Sequence, residues 1–345
     1  DHFGGTVHRL AQASFGLTQR DKDTIMSIPF LGEIFALASA FCYGFSAVAI
    51  NKNAENGHSN NGAYLSILLT AVMAGALWLF FGSAFPAADR AVWTGLGFFV
   101  LAGVLANISG RVFMFKAVEL VGAIEIGILR RLIPVFAATL AIIFLDERIT
   151  TSVSVGFLLV FLGIAAVVVG GRRTRVVTGG TGHTGRPMME RATDDVQKGR
   201  VLGAVSSASY GGAYVSRKFA LAVVPDPLLG TLIGAITGLV CGSIIVPLSR
   251  RSRTNHLPLF QRPAPWQVVA AASVSFGQIF QFFALNHTTV TAVAIIGSVE
   301  MFIAAWLSAV LLKSEKKPGL VFAVASVLAM TGTAVITLGQ GNGPI

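Results

Sequence analysis

The feature that most constrains this fold is a series of long apolar runs with few or no charges. Each run is close to the roughly 20 residues that a helix needs to cross a bilayer, and turn residues divide the longest runs. Charged residues make up 12% of the chain, whereas soluble domains carry roughly 25%. We therefore expect an all-α integral membrane protein. The ten predicted transmembrane helices are 31–51, 62–85, 91–114, 121–145, 149–171, 201–223, 227–249, 265–285, 289–312 and 318–338.

The composition excludes several kinds of binding site. The formal net charge is +10, but the cations are divided among many short loops and form no single basic face, so nucleic acid is not an expected partner. Cys42 and Cys241 both lie in apolar runs, which excludes a disulfide scaffold and a thiolate zinc site. We expect neither a cofactor nor a metal.

The chain also repeats itself. A shift of 167 positions pairs Ser39 with Ser206, and a shift of 169 later pairs Gly163 with Gly332. One register that persists through several spans and is broken by a two-residue insertion indicates a duplication. The 167-residue shift also pairs Gly32 with Gly199, Tyr43 with Tyr210, Gly44 with Gly211, and Ala137 with Ala304.

Each half contains an odd number of spans, so the second half must enter the membrane in the opposite orientation. We predict two inverted five-helix repeats, 29–171 and 199–340. Residues 1–28 are a predicted flexible N-terminal tail, and 172–198, rich in Gly, Thr and charge, a predicted linker. Inverted repeats favour a transporter that exchanges inward-open and outward-open states around a site at the bilayer midplane.

The segment PVFAATLAIIFLDERIT resembles the EamA type of the drug/metabolite transporter superfamily. Its Pro134 stands thirteen residues before Glu147, and Gly163 follows in the next span. The resemblance covers about residues 30–340. In the second half, Met301 stands where proline is usual. The acidic residue that corresponds to Glu147 is Glu315, one residue later than the repeat register predicts.

The resemblance implies a ten-helix carrier of small organic solutes, with a pocket between the third, fourth, eighth and ninth helices. It also implies that both termini are cytoplasmic. Loop cations point the other way: they are concentrated on the side of the linker, and the positive-inside rule places that side in the cytoplasm. We expect a multi-pass protein of the plasma (cell inner) membrane, and the charge count favours a cytoplasmic linker.

Of the 26 Lys and Arg residues, 22 can be placed in loops or at span ends, which leaves four. A central cation costs about 2.5–3.5 kcal/mol on insertion scales, so we expect Arg130 and Arg131 to face protein or water. If these arginines form ion pairs within the membrane, the pairs serve either a substrate pocket or helix packing alone. The four cations are Arg111, Lys116, Arg130 and Arg131.

Two acidic residues are candidate counter-charges for these arginines. Glu125 lies on the same span, and the repeat shift places Glu300 opposite. We predict that Glu300 pairs with Arg130 or Arg131 in at least one state. Pro134 is a predicted hinge, because its ring frees the Arg130 carbonyl and kinks the helix.

Further polar residues extend the predicted site. Asn107 and Arg111 share a helix face at i and i+4, and the repeat shift sets Gln278 opposite Arg111. Tyr43 and Tyr210 either close the pocket or pack helices closely beside glycine. For Glu147 we favour a loop or gate salt bridge over substrate contact. The predicted substrate-binding residues are Tyr43, Asn107, Arg111, Glu125, Arg130, Arg131, Tyr210, Gln278, Gln281 and Glu300.

Three arginines and two glutamates give this predicted pocket a net charge of +1. Arginine suits carboxylate and phosphate, so we predict an exporter or exchanger of small anionic or zwitterionic solutes, such as amino acids or metabolites, with protons as a candidate coupling ion. An enzyme is not expected, since an H-E-x-x-H zinc motif is missing. A lipid scramblase or another non-transport membrane protein is the alternative.

Overall fold

The structure is a computed structural model that describes residues 30–55, 62–83, 85, 89–121, 126, 129–177, 193–248, 264–311 and 320–340. Within these ranges the chain forms helices with short connections and no strand. The predicted tail 1–28 and the middle of the predicted linker lie outside the described residues. Helices enter the predicted linker from both of its ends.

Within the described residues, helical segments lie in each of the ten predicted spans. A π-helical turn, Leu105–Gly110, joins α3 to α4, and a 3-10 turn, Arg130–Leu132, precedes α5. The helices are α1 Leu31–Glu55, α2 Gly62–Phe81, α3 Arg90–Val104, α4 Arg111–Val121, α5 Ile133–Leu145, α6 Thr151–Val177, α7 Thr193–Val223, α8 Pro227–Leu248, α9 Pro265–His287, α10 Val290–Gly297, α11 Glu300–Leu311 and α12 Leu320–Gln340.

Seven helical segments in the described part of the chain are long and apolar enough to cross a membrane, and Thr151–Ala166 is a shorter apolar helix. The all-α membrane class is therefore confirmed, although length and apolarity alone do not reach ten crossings. One reason lies in α7, which carries Arg217 and Lys218 among many small residues. Another is that part of the predicted fourth span lies outside the described residues.

Equivalent helices of the two repeats run antiparallel. In the α2–α8 pair, the Tyr64 hydroxyl lies 3.5 Å from Ser243 Oγ, while farther along α2 a Cβ at Gly75 would contact Leu232. The residue numbers rise along one helix as they fall along the other. Helices α6 and α12 cross in the same antiparallel sense. The second repeat is therefore inverted relative to the first.

The contacts between repeats obey the sequence register. Ser39 Oγ donates to the Gly277 carbonyl at 2.8 Å, and Ser206 Oγ donates to the Gly110 carbonyl at 2.5 Å. Adding 167 to Ser39 and subtracting 167 from Gly277 converts the first bond into the second. A pseudo-two-fold axis that exchanges the repeats therefore relates the α1–α9 contact to the contact of α7 with the π-turn.

Two glycines at equivalent positions allow close approaches between the repeats. A Cβ at Gly44 would lie 3.1 Å from the Ala304 nitrogen, and a Cβ at Gly211 would lie 2.8 Å from the Ala137 nitrogen. Both pairs again differ by 167 positions. Because small residues let helix backbones approach closely in membranes, these glycines fix how α1 meets α11 and how α7 meets α5.

Candidate functional site

A cavity of about 220 Å³ lies between the two repeats, where α1, α5, α7, α9 and α10 meet the π-turn. Polar and aromatic side chains predominate on its wall, whereas the outer faces of α2, α6 and α12 expose large apolar side chains. The principal polar and aromatic lining residues are Ser39, Tyr43, Asn107, Arg111, Arg130, Arg131, Tyr210, Tyr214, Arg217, Gln278, Gln281, Ser298 and Glu300.

Helices are interrupted beside the cavity in both repeats, at equivalent positions. In the first repeat the 3-10 turn Arg130–Leu132 precedes α5. In the second repeat, Ser298 and Val299 separate α10 from α11. Discontinuous helices near the midplane are a common way for transporters to present helix ends to a substrate. The two N-terminal half-helix ends, at Ile133 and Glu300, both contribute to the cavity wall.

The structure brings nearly the whole predicted site together. Nine of the ten predicted substrate-binding residues line this one cavity, and so does Pro134. Glu125 lies outside the described residues. The role of the gathered residues in binding a solute stays a prediction.

The predicted pairing of Glu300 involves Arg131. Arg131 Nη1 lies 4.0 Å from Glu300 Oε1, and the two side chains are 24% and 30% exposed. Arg130 is exposed. The contact is at the outer limit of an ion pair, so an incoming charged group has room to compete for either partner.

One part of the hinge prediction was wrong. The carbonyl of Arg130 is not freed by Pro134, because it accepts a hydrogen bond from the Ile133 backbone N–H in the 3-10 turn. Pro134 lies in the first turn of α5, where a missing N–H leaves no intrahelical partner unsatisfied. The polar groups beside this helix interruption are therefore the side chains of Arg130 and Arg131, and not a free backbone carbonyl.

Sequence reasoning missed Arg217, which it placed among the cations at span ends. The residue lines the cavity and is 7% exposed. Its Nη1 donates to Gln281 Oε1, and Gln281 Nε2 donates to the Tyr214 hydroxyl at 2.6 Å. A signal was present in the repeat: Arg217 is equivalent to Ile50, so a charge stands where the register predicts an apolar residue.

Two of the predicted polar residues form hydrogen bonds within the protein. Gln281 accepts from Arg217. Asn107 lies in the π-turn, and its amide donates to the carbonyls of Gly103 and Gly234 at 3.1 and 3.4 Å. Asn107 therefore joins α3 to α8, and its donors serve the protein itself.

The matched tyrosines make two kinds of contact, and their closure over a substrate stays a prediction. Tyr43 and Tyr210 line the cavity, and each also packs against a glycine of the opposite repeat. A Cβ at Gly277 would lie 3.3 Å from the Tyr43 ring, and a Cβ at Gly110 would lie 3.0 Å from the Tyr210 ring. The same side chains thus form the wall and the helix contact.

Two side chains, Lys218 and Glu147, make hydrogen bonds to the α9–α10 connection and the start of α10. Lys218 Nζ donates to the carbonyls of Leu285 and Thr288 at 2.8 and 2.9 Å. Glu147 accepts from the backbone N–H groups of Val290 and Thr291 at 2.7 and 3.1 Å. Among the described residues, Glu147 makes no ion pair within 4.0 Å. Its carboxylate caps the N-terminus of α10, and the predicted salt bridge stays a prediction.

Comparison with known families agrees with this architecture. The chain matches the EamA-like transporter family twice, over residues 30–169 and 197–338. These two matches coincide with the inverted repeats and cover most of the chain. This chain belongs to the EamA-like transporter family. It is accordingly a multi-pass membrane transporter, and the family favours this function over the lipid-scramblase alternative.

A solved crystal structure, described only as a protein, has the same fold as this EamA-like transporter. Its TM-score is 0.66 at 15% sequence identity, over 90% of this chain and 98% of the other. No curated protein matches the chain. The wall of this EamA-like transporter's cavity includes the third, fourth, eighth and ninth predicted helices, and the first and sixth contribute Tyr43, Tyr210 and Arg217.

Arg217 changes the charge of the cavity. The described lining residues include four arginines and one glutamate, a formal net charge of +3. The sequence predicted +1, because it counted Glu125 and omitted Arg217. An unbalanced positive wall in a site of low dielectric strongly favours an anionic ligand group.

Proposed function

We propose that this EamA-like transporter moves small anionic or zwitterionic organic solutes, such as amino acids or organic acids, across the plasma membrane by alternating access. It acts as an exporter or an exchanger. The observation that carries the proposal is a cavity whose described lining residues carry a formal net charge of +3, placed where both inverted repeats interrupt a helix. A site shared by two inverted repeats is open to either side in turn when the repeats exchange conformations.

The size of the cavity narrows the class of solute. Its volume of about 220 Å³ is below the roughly 300–1,000 Å³ of pockets that hold drug-sized ligands. A metabolite such as an amino acid or a short organic acid suits this volume better than a nucleotide sugar does. The tyrosines of the wall offer apolar ring faces to the body of such a solute.

Two measurements test the proposal. Purified protein is first screened for thermal stabilisation by amino acids, organic acids, sugar phosphates, nucleosides and amines, because a ligand that binds only the folded state raises its stability. Solutes that stabilise it are then assayed for uptake into proteoliposomes. We expect anions or zwitterions to stabilise the protein and to be transported. Transport of amines alone, or lipid flipping without solute uptake, would contradict the proposal.

Protons are the proposed coupling ion, with Glu300 as the carrier. A carboxylate that changes partners during a cycle can bind and release a proton, and the Arg131–Glu300 contact of 4.0 Å leaves room for such a change. We expect uptake by Glu300→Gln to lose the pH dependence seen in the wild type. The matched control is Asp89→Asn, an exposed acid at the start of α3, which should keep it. An unchanged pH profile in Glu300→Gln removes Glu300 as the carrier.

A further inference from the structure

Arg217 is a buried cation that has no acidic partner in the part of the chain that the structure describes. Its side chain is 7% exposed, and among the described residues no carboxylate lies within 4.0 Å of it. Buried charges in proteins are normally paired, because an isolated charge is costly in a medium of low dielectric. Because Arg217 also lines the cavity, a negatively charged group of a ligand in the cavity can pair with it.

The residues around Arg217 hold the plane of its guanidinium group but do not neutralise its charge. The guanidinium carbon lies 4.7 Å from the centre of the Phe282 ring and 5.9 Å from that of Tyr214. Gln281 accepts from Nη1 on one side. In the described part of the chain the buried Nε has no hydrogen-bond partner. The group is therefore oriented in advance and retains an unused donor, as a ligand-binding arginine requires.

Tyr214 supplies a second donor beside it. Its hydroxyl oxygen accepts from Gln281 Nε2 at 2.6 Å, which leaves the hydroxyl proton available to another acceptor. Tyr214 and Arg217 stand three residues apart on α7 and therefore share a face of that helix. Both line the cavity, so a single acceptor group can be reached by a charged and a neutral donor at once.

Two of the other three cavity arginines are less suited to this role. Arg131 already lies near Glu300, and Arg130 is exposed. Arg217 is about 10 Å farther along α7 than Tyr210, at a rise of about 1.5 Å per residue, and it is the most deeply buried of the site cations that the structure describes. Discrimination between charged and uncharged ligands is strongest where a buried polar group would otherwise stay unpaired.

We propose that Arg217, held by Gln281 and assisted by the Tyr214 hydroxyl, binds the carboxylate of the transported solute and so restricts transport to small carboxylates. This inference rests on the proposed function and names its substrate class. A phosphate is a poorer fit, because it recruits more donors, and the neighbouring ammonium of Lys218 is committed to the carbonyls of Leu285 and Thr288.

The test compares carboxylates with their uncharged amides on the purified full-length protein. The pairs are lactate with lactamide and 3-phenylpropionate with 3-phenylpropanamide, and the affinity is read from the shift in unfolding temperature with ligand concentration. Phenyl phosphate and phenethylamine complete the panel. We expect the wild type to bind at least one carboxylate about tenfold or more tightly than its amide.

Variants of Arg217 then locate the selectivity. Arg217→Gln should reduce the ratio of carboxylate to amide affinity to within about twofold, and Arg217→Lys, which keeps the charge but loses the planar fork, should give an intermediate ratio. Arg90→Gln, at an exposed cation at the start of α3, should retain the ratio of the wild type. If Arg217→Gln does not fold, the lysine variant decides, and an undiminished ratio in it overturns the inference.

The outcomes separate this inference from the proposed function. A folded Arg217→Gln protein that keeps the wild-type ratio and still transports anions overturns the inference alone. A wild type that binds no carboxylate of the panel, or that binds phenyl phosphate more tightly than every carboxylate, also overturns it. A wild type that binds and transports only phenethylamine overturns both.

Discussion

At equivalent positions of the two repeats, Ser39 and Ser206 donate the same hydrogen bond to the opposite repeat, whereas Ile50 and Arg217 have nothing in common. Ile50 is 36% exposed, and Arg217 is buried beside the cavity. The serines lie on interfaces that the pseudo-two-fold axis exchanges, so a change in one repeat would break the equivalence of the two contacts. A ligand has no such symmetry, and the residues that face it are free to diverge.

The helix interruptions show the same division. The backbone breaks at the same register in both repeats, before Ile133 and before Glu300. The side chains differ at each position: Pro134 is equivalent to Met301, and Arg131 to Ser298. Symmetry is thus kept in the backbone at the two helix interruptions and lost in the side chains beside them.

The largest expected effect tests the symmetric contacts. Gly44→Val and Gly211→Val should each destabilise the protein by about 2–3 kcal/mol, since the new side chain meets backbone atoms that cannot yield. A Cβ would lie 2.9 Å from the Glu300 carbonyl oxygen in the first and 2.8 Å from the Ala137 nitrogen in the second. Thermal unfolding of the purified variants measures the loss.

Gly97→Val is the control for this pair. Gly97 is exposed on α3, and a Cβ there has no neighbour within 4 Å, so the substitution should leave the unfolding temperature nearly unchanged. If one of the two interface variants were as stable as Gly97→Val while the other unfolded, the two interfaces would not be equivalent, and the symmetric account of packing would be wrong.

A further contact between the repeats should have a smaller effect. Glu147→Gln should cost about 1–2 kcal/mol, because the amide cannot replace both carboxylate oxygens as charged acceptors for the N-terminus of α10. Those oxygens accept from Val290 N–H at 2.7 Å and from the Thr291 hydroxyl at 2.8 Å. Thermal unfolding is again the measurement.

The neighbouring Arg148→Gln is the matched control, since Arg148 is exposed in the same connection. The two variants each remove one charge, one residue apart. Equal stability of both would show that the charge of the loop, and not the cap on α10, determines the result. Glu315, the acidic residue of the second repeat that corresponds to Glu147, lies outside the described residues.

The serine pair should have the next smaller effect. Ser39→Ala and Ser206→Ala should each cost about 1 kcal/mol, the net value of a buried hydrogen bond, and the two losses should be alike. Ser209→Ala provides the baseline, because its hydroxyl bonds to Val205 of its own helix. A loss confined to one serine would show that only one of the two interfaces depends on its bond.

The symmetric part of this molecule could be predicted from sequence. Apolar length gave the helices, and the 167-residue register gave pairs such as Gly44 with Gly211, which the packing reproduces. The register carries this information because a duplicated interface imposes the same size limit twice. The inverted orientation followed from the odd number of spans in each half.

The asymmetric part could be predicted only in outline. Charges in the middle of spans identified Arg130 and Arg131, since such charges are costly in lipid. Arg217 was not identified as a site residue, because it lies within two turns of the end of α7. At such a position a long cationic side chain can equally reach the membrane–water interface. Its partner Gln281 is equivalent to Met114, so no repeat pattern links the two. Contacts between helices distant in sequence require the folded chain.

The smallest expected effect concerns Pro134, the predicted hinge. Pro134→Ala should change the rate of solute uptake by less than about twofold, because a proline is only one of several causes of a helix break, and the second repeat breaks at the same register with Met301. The Ile133 N–H to Arg130 carbonyl bond, which defines the 3-10 turn, does not involve the proline. Pro265→Ala, in the first turn of α9, controls for the general effect of removing a proline there. A folded Pro134→Ala protein that lost most of its uptake, beside an active Pro265→Ala, would show that the first repeat needs its proline where the second does not, and the asymmetry would then extend from the charges to the backbone.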